Sequence, residues 1–169
     1  MKEYLNEKKI KERIKILGEE ITKAYKNQNE LTILCVLKGS FIFLADLVRE
    51  IELDLSIEFI DISSYVGISR GELILNKDIN FNVKNKNILI VEDIVDSGNT
   101  INFLFKYIND KKPKSLKIAT LFFKPEAYNF NMKIDWIGFN ISNEFIVGYG
   151  LDHNEIHRNK KSIYILEDE

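Results

Sequence analysis

Apolar and polar positions run along this chain in two rhythms. Between residues 10 and 25, Ile10, Ile14, Leu17, Ile21 and Tyr25 recur every three or four positions, with Lys and Glu between them. That spacing gathers them on one face and predicts an amphipathic helix, the body of an N-terminal helical segment over 1–28. Residues 31–37, Leu-Thr-Ile-Leu-Cys-Val-Leu, are a nearly unbroken apolar run. Such a run suits a strand covered on both faces. Residues 41–51 read as a helix with Ser40 as its N-cap, and 55–62 as a second strand. The stretch 63–87 is polar, with Gly67, Gly71 and several Asn, and its one strong strand signal is 72–75. It reads as a long mobile loop region. A third buried strand over 87–91, a helix over 101–109 and strands at 115–123, 134–139 and 162–166 complete the pattern. Alternating strands and helices predict an α/β fold around a mainly parallel twisted sheet flanked by helices.

Length and composition narrow the function classes. The 169 residues suit one domain, 1–169, with room for a sizeable core. The 24 basic and 26 acidic residues leave a net charge of −2. Neither nucleic acid nor an anionic membrane is expected as a partner of so balanced a chain. One cysteine, Cys35, excludes an internal disulfide framework and is expected to be strand core. The first residues lack the apolar stretch of a secretory signal, and no apolar run reaches the length of a membrane span, so a cytoplasmic protein is expected.

The densest chemistry is Glu92-Asp93-Ile94-Val95-Asp96-Ser97-Gly98-Asn99-Thr100, which follows a buried strand and opens a helix. Ligands of open α/β sheets bind at the carboxyl ends of the strands. Gly98 permits a tight loop, and the N–H groups of residues 96–100 would form a phosphate cradle to which the Ser97 and Thr100 hydroxyls add donors. Glu92 and Asp93 lie further back, where carboxylates suit sugar hydroxyls or a cation that holds them. Asp96, just ahead of the cradle, is placed to accept a proton. A plain helix start with acids at a sheet edge is the alternative.

Residues 87–100 resemble the phosphoribosyl-pyrophosphate motif of the type I phosphoribosyltransferases, in the form found in the 6-oxopurine branch. Three further blocks carry the resemblance. Leu37-Lys38-Gly39-Ser40 is similar to the family's pyrophosphate loop, whose first peptide, here Leu37–Lys38, can be cis. Ser63-Ser64-Tyr65 resembles the Ser-Tyr pair of the mobile catalytic loop, although Val66 stands where glycine is frequent. Lys124-Pro125-Glu126-Ala127, with residues 136–158, resembles the purine-binding hood, which places the hood and C-terminal segment at 124–169.

The resemblance implies specific roles. Asp96 would be the catalytic base. Glu92, Asp93, Asp96, Ser97, Gly98, Asn99 and Thr100 would bind phosphate and ribose. Lys38, Gly39 and Arg158 would bind pyrophosphate, and Lys124, Phe145 and Ile146 the purine. Ser64 and Tyr65 would close over the site. Glu92 and Asp93 would hold Mg²⁺, and Asp152 a second Mg²⁺. Read without the resemblance, Lys124 is a solvated lysine, Phe145 and Ile146 are core, and Asp152 is a turn former. His153 and His157 are four apart, yet no third ligand accompanies them, and a metal pair is not expected. The implied activity is transfer of the 5-phosphoribosyl group from phosphoribosyl pyrophosphate to hypoxanthine or guanine, giving IMP or GMP in a homo-oligomer, dimer or tetramer. A preference for xanthine or another base, or a non-catalytic nucleotide-binding regulator on the same fold, are the competing readings.

Overall fold

The computed structural model describes residues 1–28, 30–64 and 73–166. Its centre is a six-stranded sheet in the order β4-β3-β2-β5-β6-β7. The strands are β2 (Leu31–Leu37), β3 (Leu55–Ser64), β4 (Leu73–Lys77), β5 (Asn87–Val95), β6 (Ser115–Phe123) and β7 (Trp136–Asn140). All neighbours pair parallel except β4, an antiparallel edge. The α/β architecture expected from the sequence, a mainly parallel sheet flanked by helices, is what the chain adopts.

The apolar runs explain why the sheet is covered on both faces. Ile33, Cys35, Leu89 and Val91 point into one core cluster; Leu34, Val36, Ile88 and Ile90 point into the other. Helices α1 (Glu7–Tyr25) and α2 (Phe41–Leu47) pack on the first side through Ile10, Ile14, Leu17, Ile21, Phe43 and Leu47. Helix α3 (Asn99–Asn109) covers the second through Ile101, Leu104 and Ile108. Truncating any of these fully buried Leu or Ile side chains to Ala is expected to cost about 2–5 kcal/mol. Arg13 of α1 donates to the carbonyls of Ile137 (2.7 Å) and Gly138 (3.0 Å), tying the helix to the exposed edge β7.

Several sequence expectations are corrected. The N-terminal segment is not helical from residue 1: Lys2–Leu5 form β1, which pairs antiparallel with β9 (Ile163–Ile165), and β9 with β8 (Ile146–Val147), making a second three-stranded sheet. The helix then starts at Asn6, whose side chain accepts from the Lys9 N–H at 3.0 Å. Ser40 stands at the N-cap position of α2 but caps nothing. Its hydroxyl donates to the Val36 carbonyl and touches the Cys35 sulfur, and α2 passes at Val48–Glu50 into a 3₁₀ turn. Strand β5 runs to Val95, so Glu92 and Asp93 lie within it. Part of the stretch read as loop is packed: Leu73–Lys77 pair with β3, and Val83 is buried. Cys35 is buried strand core, and burial pushes its thiol up to about 12. Among the described residues no helix is long and apolar enough to cross a membrane.

Candidate active site

Parallel register decides which residues meet at the carboxyl ends of the strands. Val95 of β5 is in register with Phe123 of β6, so the next residues, Asp96 and Lys124, emerge side by side. Leu37 of β2 is in register with Asp61 of β3, and Cys35 with Val91 of β5, so the 38–39 loop sits over Asp93.

On the β5 side, residues 96–100 wrap a cavity of about 90 Å³, with Glu92 at its base. Helix geometry leaves the first N–H groups of α3 without intrahelical partners, and they open onto this loop. Gly98 has φ +88°, and a Cβ there would lie 2.4 Å from the Tyr128 ring and 2.8 Å from Phe130. These two rings stack edge to face with each other, and Tyr128 does so with Phe123, while the Asn129 N–H donates to the Ser97 carbonyl at 3.1 Å. The cradle is therefore backed by an aromatic wall from the segment after β6. Ser97 and Thr100 are half-buried beside it, and Asn99 is exposed.

At the rim, Lys124 Nζ lies 3.2 Å from Asp96 Oδ2. Lys124 is 8% exposed, which excludes the solvated reading of this lysine, whereas Asp96 opens to solvent. Phe145, 54% exposed, stands edge to face against His153. It is not core. Ile146 is core and leaves only its backbone to a ligand.

On the other side, a larger cavity of about 440 Å³ is lined by Lys38, Gly39, Asp61, Glu92, Asp93, Asp152, Glu155 and Arg158, among others. The Leu37–Lys38 peptide is cis. A Cβ on Gly39 would lie 1.5 Å from Asp93 Oδ2, so any side chain there would have to displace this carboxylate. Lys38 Nζ is 3.3 Å from both Glu155 oxygens. Arg158 reaches Glu155 (3.2 Å), Asp152 (2.8 Å) and the Gly150 carbonyl (2.9 Å). Hydrogen bonds from Lys38 and Arg158 hold the Glu155 carboxyl below the ordinary range.

Glu92 and Asp93 behave differently. Loss of solvent, reinforced by Asp93, raises the Glu92 carboxyl well above its ordinary value, and loss of solvent pushes Asp93 up to about 6. Glu92 Oε2 is buried without a hydrogen-bond partner. Two adjacent carboxylates short of counter-charge suit a hard divalent cation, with ligand hydroxyls and water filling the other positions. Among the described residues no three acidic, His or Cys side chains gather as a metal cluster, and Asp152 is paired with Arg158. His153 and His157 likewise form no such cluster.

Ser64 contributes backbone to the end of β3, while Tyr65, like Val66, lies outside the described residues. Sequence reasoning missed Asp61, Tyr128, Phe130 and Glu155. Asp61 was findable, because it stands near the carboxyl end of a parallel strand.

Comparison with known proteins places this geometry. Residues 1–154 match the model of the phosphoribosyl transferase domain. The chain is 45% identical over 161 residues to the hypoxanthine phosphoribosyltransferase of Buchnera aphidicola, covering 94% of this chain and 91% of that one. A hypoxanthine-guanine phosphoribosyltransferase structure from Bacillus anthracis superposes with TM-score 0.93 at 40% identity, covering 99% of both chains. The Trypanosoma cruzi hypoxanthine phosphoribosyltransferase in complex with the product IMP does so with TM-score 0.92 at 35% identity, covering 98% of this chain and 94% of that one.

Proposed function

Since the chain belongs to the phosphoribosyl transferase family, we infer that it is a purine-salvage enzyme that moves the 5-phosphoribosyl group from phosphoribosyl pyrophosphate to hypoxanthine or guanine. The products are IMP or GMP and pyrophosphate. The observation that carries the base specificity is the Lys124–Asp96 pair at the rim of the phosphate loop. N7 and O6 of a 6-oxopurine lie on one edge of the ring, one a proton site and one an acceptor. A buried ammonium and an open carboxylate 3.2 Å apart match that edge: Lys124 donates to O6, and Asp96 takes the N7 proton as N9 bonds to the ribosyl carbon. A 6-amino base offers Lys124 a second donor and is rejected.

The remaining residues orient the sugar. The loop over Asp96, Ser97, Gly98, Asn99 and Thr100 holds the 5′-phosphate, and that remote grip orients the reacting carbon. Phe145 stacks on the purine, and the Ile146 backbone reads its edge. Lys38, Gly39 and Arg158 receive the pyrophosphate as the bond to the ribosyl carbon breaks. Glu92 and Asp93 would hold Mg²⁺, and Asp152 would serve a second ion. When bound, the metal supplies positive charge to the leaving group. Closure by Ser64 and Tyr65 excludes water, so the ribosyl carbon meets purine rather than hydroxide. A cytoplasmic homo-oligomer, dimer or tetramer, completes the reading, and Phe41, 44% exposed at the start of α2, is an apolar side chain that such an interface would cover.

The test is to supply phosphoribosyl pyrophosphate with hypoxanthine, guanine, xanthine or adenine, with Mg²⁺ or with a chelator. Nucleotide and pyrophosphate should form in equal amounts from the first two bases and only with the metal. Lys124→Ala should raise KM for hypoxanthine far more than KM for phosphoribosyl pyrophosphate. Preference for adenine, or unchanged purine kinetics in that variant, would overturn the assignment.

A further inference from the structure

Three consecutive residues near the pyrophosphate cavity have positive φ: Gly148 (+103°), Tyr149 (+50°) and Gly150 (+101°). For a bulky aromatic this conformation is uncommon and persists only when its surroundings fix it. The surroundings are specific. Tyr149 is buried, its hydroxyl donates to the Asp46 carboxylate on α2, and Arg49 donates to the same carboxylate. Burial and this hydrogen bond raise the phenol far above its ordinary value, so it stays a donor. The Tyr149 N–H donates to the Lys160 carbonyl at 2.8 Å, and the Gly150 N–H to the Arg158 carbonyl at 3.0 Å. On its outer side the turn bears directly on the 38–39 loop, where a Cβ on Gly150 would lie 2.0 Å from the Gly39 carbonyl. The Gly150 carbonyl also receives Arg158 Nη1 at 2.9 Å. Asp152 follows two residues later.

We propose that Tyr149 and Asp46 are positioning residues for the pyrophosphate half of the site. Their hydrogen bond pins the left-handed turn between α2 and Gly39, and the turn sets where Arg158 and Asp152 face Lys38. Neither residue touches substrate. The inference rests on the assignment of Lys38, Gly39 and Arg158 to pyrophosphate.

Steady-state kinetics with each substrate varied would test it in Tyr149→Phe, Asp46→Asn, Asp46→Leu and Arg158→Ala, with a melting curve for each. Tyr149→Phe keeps the ring and loses one hydrogen bond. It should raise KM for phosphoribosyl pyrophosphate about three- to tenfold and leave KM for hypoxanthine within about twofold. Asp46→Leu should match it, and Asp46→Asn, whose side-chain oxygen still accepts from Tyr149, should stay near wild type. A merely structural role would lower the melting temperature and change both KM values together or neither, and either pattern overturns the proposal. If Arg158→Ala weakens phosphoribosyl pyrophosphate while Tyr149→Phe does not, the positioning role alone falls. If Arg158→Ala leaves that KM unchanged, the pyrophosphate assignment falls, and the proposal with it.

Discussion

The two halves of this site are built in opposite ways. The phosphate half is one continuous loop, residues 96–100, lined by backbone and backed by the Tyr128 and Phe130 rings. The pyrophosphate half is drawn from β2, β3, β5 and the segment after β8, and it is lined by charged side chains. A small cradle of N–H groups needs only the right chain path. A large cavity with several carboxylates and two cations needs distant segments to be held in register, and in the proposed function a metal offsets its excess negative charge. The Lys124–Asp96 pair stands where Asp96 opens the phosphate loop, and the proposed mechanism puts bond exchange between the halves.

This contrast orders the expected effects. Asp96→Asn should cost the most, lowering turnover by about 10²-fold or more while phosphoribosyl pyrophosphate still binds within a few-fold of wild type in a calorimetric titration. Near-normal turnover would remove Asp96 as the base. Gly98→Ala should come next. It forces a Cβ at φ +88° against Tyr128 and Phe130, and should cost about 1–3 kcal/mol in denaturant unfolding as well as weaken phosphate binding. Gly39→Ala should separate the halves further, because its Cβ meets a side-chain carboxylate rather than a ring wall. KM for phosphoribosyl pyrophosphate and the metal requirement should both rise, with little change in melting temperature. Equal stability losses in the two glycine variants would erase the distinction. Salt should have the smallest effect. Raising it from about 0.05 to 0.3 M should weaken inhibition by pyrophosphate a few-fold, since Lys38 and Glu155 are exposed, and should change IMP binding less.

The same contrast governs what the sequence made legible. The 96–100 loop is contiguous, so the chain order alone brings together the residues that line its cavity, and the buried β2 and β5 are marked by their apolar runs. The other half was only partly visible. Lys38 and Arg158 came through motif resemblance, whereas Glu155 gains its role only when the segment after β8 folds over the 38–39 loop. Tyr128 and Phe130 look like ordinary aromatics until the φ of Gly98 brings them against the cradle. Strand β1 escaped because Lys2–Leu5 is only four residues long, mostly exposed, and fixed by pairing with β9 at the far end of the chain. Ser40 has the right residue type for a cap, but its backbone is already helical (φ −80°, ψ −5°) and its hydroxyl is turned back towards the Val36 carbonyl, away from the helix N–H groups.

Both halves must act on one molecule for the account to hold, and the reverse reaction asks this directly. IMP, pyrophosphate and Mg²⁺ given to the enzyme should yield hypoxanthine and phosphoribosyl pyrophosphate in equal amounts, and labelled pyrophosphate should appear in the latter. Release of hypoxanthine without pyrophosphate, or no exchange by folded enzyme that binds IMP, would contradict it.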